Sequence, residues 1–258
     1  MNRINQLFKE KKRNITSIYF TAGYPHLEDT VPTLLALEKQ GVDLVEIGIP
    51  FSDPIADGPV IQQSSMQALQ NGMSLSKLFS QLQGLRQKIH IPLLFMGYFN
   101  AILQYGFEEF CQSCRAVGVD GVIIPDLPFE EYEKVYKPIV ERYDLSFILL
   151  ITPETSEKRI RAIDAATHGF IYMVSSASTT GTQATFNSSK IEYFKRIRSL
   201  NLKNPCLIGF GISNKSTLED AFEYAQGAII GSKFISLLST EKSPDDSISE
   251  LYKSLNEI

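Results

Sequence analysis

Two carboxylates near the end of one apolar segment are the residues in this sequence best placed to do chemistry. Glu46 is flanked by Val45 and Ile47 in a segment with the pattern of a buried strand, and Asp57 follows in the next turn. Burying an unpaired carboxylate is costly or shifts its pKa, so such a residue usually serves a site. One buried carboxylate and one on a loop can supply separate acid and base roles.

Each carboxylate also has a structural interpretation. Glu46 could form an ion pair with a neighbouring strand, and an Asp before Gly-Pro is, taken alone, a turn former more often than a catalyst. The elements that position the two residues therefore decide between these interpretations.

Apolar segments of strand length alternate with helical patterns at intervals of roughly thirty residues, which is typical of parallel βα units. Eight candidate strands lie near residues 17–22, 43–49, 92–97, 121–124, 146–151, 170–174, 206–209 and 228–230. An eightfold alternation in 258 residues favours an α/β fold of the (β/α)8 TIM barrel type over a doubly wound open sheet. We expect one domain spanning residues 1–258.

In such a barrel the carboxyl ends of the strands form the active face. Glu46 shares its direction with Leu44 and Gly48, because side chains alternate along a strand, and an inward carboxylate near the strand end would reach the barrel mouth. There, burial could hold its pKa high enough to exchange protons near neutrality.

Two connections on this face are long. The first follows strand two and carries Asp53 and Asp57; the second follows strand six over residues 175–189 and is rich in Ser, Thr, Gly and Asn. Their length indicates a lid or a binding loop, with a tolerated surface insertion as the alternative for the second.

Glycines near the end of the chain indicate a phosphate site. Residues 209–213 read Gly-Phe-Gly-Ile-Ser after strand seven, and Gly231-Ser232 follows strand eight and opens a helical pattern. Glycines allow close backbone approach, and a helix N-terminus offers free N–H groups to an anion.

Composition excludes several classes of protein. The formal net charge of −4, with no basic stripe, argues against a nucleic-acid binder. The absence of a signal-peptide pattern and of any apolar run of roughly 18 residues predicts a soluble, cytoplasmic protein. Ile4, Leu7 and Phe8 have helical spacing, and we expect a short helix packed on the body rather than one on a membrane surface.

Three cysteines argue against a disulfide framework. Cys111 and Cys114 form a C-x-x-C pattern, but they share a helical face with Phe107, Phe110 and Val117. We therefore expect core packing rather than a redox pair or a zinc site.

Several motifs together resemble one family along nearly the whole chain. Residues 46–62, Glu-Ile-Gly-Ile-Pro-Phe-Ser-Asp-Pro-Ile-Ala-Asp-Gly-Pro-Val-Ile-Gln, are similar to the signature of the tryptophan synthase alpha chain. Supporting motifs are Thr-Ala-Gly-Tyr-Pro at 21–25, Tyr-Phe-Asn at 98–100, Pro-Asp-Leu-Pro at 125–128 and the Gly-Phe-Gly-Ile-Ser at 209–213.

This resemblance implies a TIM-barrel lyase that cleaves indole-3-glycerol phosphate to indole and glyceraldehyde 3-phosphate without a cofactor in this chain. It implies that Glu46 is the general acid and base and that Asp57 holds the indole N–H and stabilises positive charge on the ring. Thr180 would hydrogen-bond to Asp57 when its loop closes. The implied ring pocket contains Tyr19, Met96, Ile123 and Tyr172, and the implied phosphate contacts are Gly181, Gly211, Gly231 and Ser232. Taken without the family, the apolar residues among these would be core.

The resemblance also implies a partner, the pyridoxal-phosphate-dependent beta chain, in an α2β2 heterotetramer in which indole passes between subunits for tryptophan synthesis. Asp53, Asn100 and Asp126 match positions that face or signal to that partner. Polar residues that terminate loops are the alternative interpretation of these three.

One segment departs from the family pattern. Where the family usually reads Ser-Arg-x-Gly-Val-Thr-Gly, residues 175–181 read Ser-Ser-Ala-Ser-Thr-Thr-Gly, so the Arg and the first Gly are missing. Two hypotheses follow: an active lyase, or a subunit with impaired loop closure that is retained mainly to activate the beta chain. A third, another phosphate-binding barrel enzyme, is disfavoured because the signature is so particular.

Overall fold

The computed structural model describes residues 2–175, 185–238 and 243–256. Within these ranges the chain forms one sheet of nine parallel strands. The strands are β1 (Ile15–Thr21), β2 (Leu44–Gly48), β3 (Leu93–Met96), β4 (Gly121–Ile123), β5 (Ser146–Phe147), β6 (Leu149–Ile151), β7 (Ile171–Val174), β8 (Cys206–Gly209) and β9 (Gly227–Ile230).

The order of the strands makes this sheet a barrel. Neighbouring strands follow the order β5-β4-β3-β2-β1-β9-β8-β7-β6, so the two outermost strands are consecutive in the chain and only Ile148 separates them. The predicted (β/α)8 barrel is confirmed. The expectation of a single continuous fifth strand over 146–151 is wrong in detail, because the chain at Ile148 changes from pairing with β4 to pairing with β7.

Helices connect the strands and pack on the outside of the barrel. Several begin where the sequence supplies a cap: Pro59 follows Gly58 at the start of α3, and the Ser74 hydroxyl accepts a hydrogen bond from the Lys77 amide in α4. The helices are α1 (Arg3–Glu10), α2 (Thr30–Lys39), α3 (Pro59–Gln70), α4 (Leu75–Gln81), α5 (Phe99–Tyr105), α6 (Phe107–Val117), α7 (Phe129–Glu131), α8 (Lys137–Arg142), α9 (Glu157–Ala166), α10 (Ser188–Ser199), α11 (Lys215–Tyr224), α12 (Ser232–Leu238) and α13 (Pro244–Asn256).

Apolar side chains fill two separate regions, one inside the barrel and one between the strands and the helices. The alternation of side chains along each strand produces this division. Inside lie Ile15, Leu44, Leu94, Ile123, Ile148, Phe170, Tyr172, Val174, Leu207 and Ile229. Cys111 and Cys114 belong to the outer region, where both are free and fully buried, and burial raises the pKa of the Cys111 thiol to about 12.

Helix α1 covers the N-terminal end of the barrel. Ile4 is fully buried in the inner apolar region, Leu7 and Phe8 pack against that region, and the Phe8 ring lies 5.9 Å from that of Phe170. A Cβ at Gly121 would lie 3.0 Å from the Ile4 side chain, so the glycine makes room for it. The expected short helix packed on the body is confirmed.

A buried aspartate ties α1 to the barrel. Asp120, which precedes β4, accepts hydrogen bonds from Arg86 at 2.5 Å, from Arg3 at 2.9 Å and from the Leu93 amide at 2.9 Å. Arg86 is mostly buried, whereas Arg3 is much more exposed. Among the residues with described positions, no helix has both the length and the apolar character needed to cross a membrane.

We predict that Asp120→Ala lowers the free energy of unfolding by about 3 kcal/mol, because it leaves the Arg86 charge mostly buried without its carboxylate partner. Urea unfolding at neutral pH followed by circular dichroism measures this change. Arg3→Ala is the matched control and should cost less than about 1 kcal/mol, because its ion pair is partly exposed. Equal losses in the two variants would contradict the prediction.

Candidate active site

Glu46 lies inside the barrel on β2, where its side chain points inward with that of Leu44. It is fully buried, and its Oε1 accepts a hydrogen bond of 2.9 Å from the Ser17 hydroxyl of β1. Its Oε2 has no hydrogen-bond partner within the described ranges. Burial raises the pKa of Glu46 to about 8, and the Ser17 bond partly opposes this by favouring the carboxylate. Glu46 can therefore carry a proton at neutral pH.

Asp57 lies on the loop between β2 and α3 and is only 8% exposed. The Tyr98 hydroxyl donates a hydrogen bond of 3.0 Å to its Oδ2, and the same hydroxyl accepts one of 3.1 Å from the Ala56 amide. Burial raises the pKa of Asp57 to about 6, and the Tyr98 bond opposes the rise. Asp57 is thus mostly ionised at pH 7, whereas Glu46 is mostly protonated.

Two tyrosines stand beside these carboxylates. Burial raises the pKa of Tyr172, and the charges of Glu46 and Asp57 add to the rise. The pKa of Tyr19 is raised by burial and then by the Asp57 charge. Both carboxylates are therefore electrostatic neighbours of the same two rings.

The tyrosine hydroxyls occupy space that glycines leave free. A Cβ at Gly48 would lie 2.2 Å from the Tyr19 hydroxyl oxygen, and one at Gly209 would lie 2.3 Å from that of Tyr172. Any larger residue at either glycine would displace a ring. The two glycines, at the ends of β2 and β8, therefore shape the barrel mouth.

A cleft at this mouth brings together seven of the eleven residues expected to catalyse the reaction or to bind the substrate. It contains about 480 Å³ of space including its open end. Its walls include seven of the expected residues, namely Tyr19, Asp57, Met96, Tyr172, Gly211, Gly231 and Ser232.

Glu46 and Ile123 do not form the walls of this cleft. Both are fully buried in the barrel interior, where Ile123 belongs to the inner apolar region. The expected positions Thr180 and Gly181, with the rest of segment 176–181, lie outside the described residues.

The three residues expected to face a partner are all exposed near the carboxyl ends of strands. Asp53 lies on the Asp57 loop, Asn100 is in the first turn of α5, and the Asp126 carboxylate accepts a hydrogen bond of 2.8 Å from the Phe99 amide. Ile55, on the same loop as Asp53, is 88% exposed.

Sequence reasoning assigned no role to three residues that contribute to this site. Tyr98 binds Asp57, Ser17 binds Glu46, and Lys233 adds a cation to the wall of the cleft beside Ser232. The available signals were a polar residue within an apolar strand for Ser17 and a hydroxyl two residues after the end of β3 for Tyr98. Within the described ranges, no group of three or more His, Cys, Asp or Glu side chains is arranged to hold a metal ion.

The whole chain matches one family. A profile of the tryptophan synthase alpha chain matches residues 5–257. The chain is 58% identical over 257 residues to a tryptophan synthase alpha chain of Parabacteroides distasonis, covering 100% of both proteins. It is 59% identical over 255 residues to that of Bacteroides thetaiotaomicron, covering 99% of this chain and 100% of the relative.

Solved structures agree with the sequence relatives. Tryptophan synthase subunit alpha from Legionella pneumophila superposes with a TM-score of 0.86 at 31% identity, covering 100% of both chains. A chain of tryptophan synthase from M. tuberculosis, in its aminoacrylate-bound form, superposes with a TM-score of 0.85 at 26% identity, covering 99% of this chain and 100% of that one. The barrel described above, with Glu46 inside it and Asp57 at its mouth, belongs to the tryptophan synthase alpha chain family.

Proposed function

We propose that this chain cleaves indole-3-glycerol phosphate to indole and glyceraldehyde 3-phosphate. The observation that carries the proposal is a pair of carboxyl groups in unlike states. Asp57 lies in the wall of the cleft and its pKa is raised to about 6, whereas Glu46 is buried in the barrel next to the cleft-lining Tyr19 and Tyr172 and its pKa is raised to about 8. At neutral pH the pair supplies one proton donor and one negative charge, which is what a retro-aldol cleavage of an indole side chain needs.

In the proposed mechanism, Glu46 transfers its proton to C3 of the indole ring. The ring then carries a positive charge that extends to its nitrogen, and Asp57 stabilises this charge while accepting a hydrogen bond from the N–H. The bond from C3 to the glycerol chain breaks, its electron pair returns to the ring, and the neighbouring hydroxyl becomes the aldehyde. Its proton passes to the Glu46 carboxylate, which restores the acid.

We assign the substrate phosphate to the side of the cleft that is lined by Gly211, Gly231 and Ser232. Backbone amides next to glycines can approach an anion closely, and Ser232 begins a helix, whose first N–H groups are free. Lys233 adds a positive charge on this side. We further propose that Gly181 contacts the phosphate and that Thr180 hydrogen-bonds to Asp57. The indole ring would be surrounded by, or would lie above, the side chains of Tyr19, Met96, Ile123 and Tyr172.

The proposed chemistry requires proton transfer and charge stabilisation, which two carboxyl groups can supply. We therefore assign no cofactor to this chain, and pyridoxal phosphate belongs to the proposed partner, the tryptophan synthase beta chain. We propose an α2β2 assembly in the cytoplasm, with each alpha chain a single domain over residues 1–258.

The partner would bind the exposed surface formed by Asp53, Ile55, Asn100 and Asp126. This surface combines an 88% exposed isoleucine with three polar side chains beside the cleft, so a bound partner would cover apolar area and close the path to solvent.

Glu46→Gln should lower the turnover of indole-3-glycerol phosphate by about 1,000-fold, because the amide cannot donate and recover the proton. Asp57→Asn should lower it by about 100-fold, because charge stabilisation is lost while shape is kept. Turnover is measured with the beta chain present, and Glu192→Gln on the exposed face of α10 is the matched control. A parent rate equal to background would favour the impaired subunit, and a fully active Glu46→Gln variant would contradict the assigned acid.

The proposal also predicts a bell-shaped pH profile of kcat/KM. Activity should rise as Asp57 ionises near pH 6 and fall as Glu46 loses its proton near pH 8, because the reaction needs the first charged and the second neutral. Substrate phosphate also titrates near pH 6. Asp57→Asn separates the two causes, since an acid limb that persists in this variant belongs to the substrate. Activity that still rises above pH 9 would contradict the role of Glu46.

For the partner surface, Ile55→Asp should weaken binding of the beta chain by about 30-fold, because it places a charge where apolar area is covered. Val135→Asp is the control, since Val135 is also exposed, at 41%, but lies in the π-helical segment Tyr132–Tyr136 between α7 and α8. Titration calorimetry with purified beta chain measures both affinities. Equal affinities of the two variants would place the contact elsewhere.

A further inference from the structure

Ser17 is the one polar side chain that holds the Glu46 carboxyl within the described ranges. Its hydroxyl donates to Glu46 Oε1 at 2.9 Å, and both side chains are fully buried. A serine in a buried strand places a polar group away from water, so its hydrogen bond to Glu46 needs a reason.

The strand register shows where this contact lies. Tyr19 is the direct partner of Glu46 across β1 and β2, whereas Ser17 is the partner of Leu44. Ser17 is therefore one inward-facing layer, roughly 6–7 Å, closer to the N-terminal end of the barrel than Tyr19. The Glu46 carboxyl reaches diagonally toward that deeper layer, which agrees with its absence from the cleft wall.

The same contact distinguishes the two carboxyl oxygens. The Ser17 hydroxyl donates to Oε1, whereas Oε2 has no partner among the residues described, which leaves Oε2 as the oxygen able to carry the proton of the neutral acid while this contact is kept. A fully buried polar atom without a partner is rare in proteins, so Oε2 is the carboxyl oxygen available to an incoming group.

We propose that Ser17 is a positioning residue for Glu46, one that fixes Oε1 inside the barrel and so makes Oε2 the oxygen that exchanges the proton. This inference rests on the proposed lyase function for its catalytic meaning. Its structural part, control of the protonation of one buried carboxyl, can be measured without substrate.

The groups that face Glu46 determine the direction in which Ser17 shifts the pKa of Glu46. Tyr19 on β1 and Tyr172 on β7 are near enough for charge interaction with Glu46, and Asp57 acts on the same two rings from the loop above. Neither tyrosine is ionised near neutrality, because burial raises the pKa of both. Ser17 is therefore the group that favours the Glu46 carboxylate, against burial, which disfavours it.

The test is an infrared titration of the Glu46 carboxyl in the full-length chain labelled with 13C-glutamate, with Glu46→Gln used to identify the band. Ser17→Ala should raise the midpoint by roughly one pH unit, since a hydrogen bond to a charged group is lost. Ser17→Thr keeps a hydroxyl and should return the midpoint toward that of the parent. Ser146→Ala, which removes another buried serine of the strands, should leave it unchanged.

Turnover supplies the second readout. In Ser17→Ala the alkaline limb of the kcat profile should move upward with the carboxyl midpoint, while kcat at pH 7 falls several-fold and KM changes little. An unchanged midpoint in a folded Ser17→Ala variant would overturn the inference, and so would equal shifts in Ser17→Ala and Ser146→Ala. If the parent itself fails to turn over substrate while the midpoint still shifts, the lyase proposal fails and the control of Glu46 by Ser17 stands.

Discussion

Burial of the Glu46 carboxyl inside the barrel is the constraint on which the rest of the site depends. An acid in water would be ionised at pH 7, and only removal from water raises its pKa to about 8. That removal requires a closed ring of strands with apolar inward side chains, and the consecutive strands β5 and β6 complete the ring by pairing with β4 and β7. The barrel therefore creates the chemical state of Glu46 as well as its position.

The N-terminal end of the barrel matters for the same reason. Ile4 of α1 belongs to the inner apolar region together with Leu44, which precedes Glu46 on the same face of β2. The Arg3–Asp120 ion pair holds α1 at this end, and Asp120 also pairs with Arg86. Water entering from this end would lower the pKa of Glu46, so the buried Asp120 cluster helps to preserve the environment that raises it.

Much of this arrangement could be predicted from the sequence because it depends on local patterns. Alternation along β2 identifies Glu46 as an inward carboxylate, and the turn before α3 places Asp57 above it. The contacts that tune these groups could not be predicted, since Ser17 meets Glu46 across 29 residues of chain and Tyr98 meets Asp57 across 41. Such pairs depend on strand register and on ring closure, which no local pattern specifies. The break at Ile148 has the same origin.

Within the described ranges, each of the two carboxyl groups accepts one side-chain hydrogen bond that opposes the effect of burial on its pKa, and this has a thermodynamic consequence. Glu46 has an ordinary pKa of 4.5 and one of about 8 in the folded protein, so folding takes up a proton between these values and stability falls as pH rises through that range. The pKa of Asp57 rises on folding from 3.8 to about 6, so stability also falls as pH rises through this lower range. The hydrogen bonds from Ser17 and Tyr98 favour the charged forms of the two carboxyl groups, and they therefore reduce both losses of stability. Stronger donors would stabilise the fold further but would leave Glu46 ionised at pH 7, and an ionised acid has no proton to give. The single hydrogen bond that Glu46 accepts from the described residues is therefore a compromise between stability and the chemistry proposed for this site.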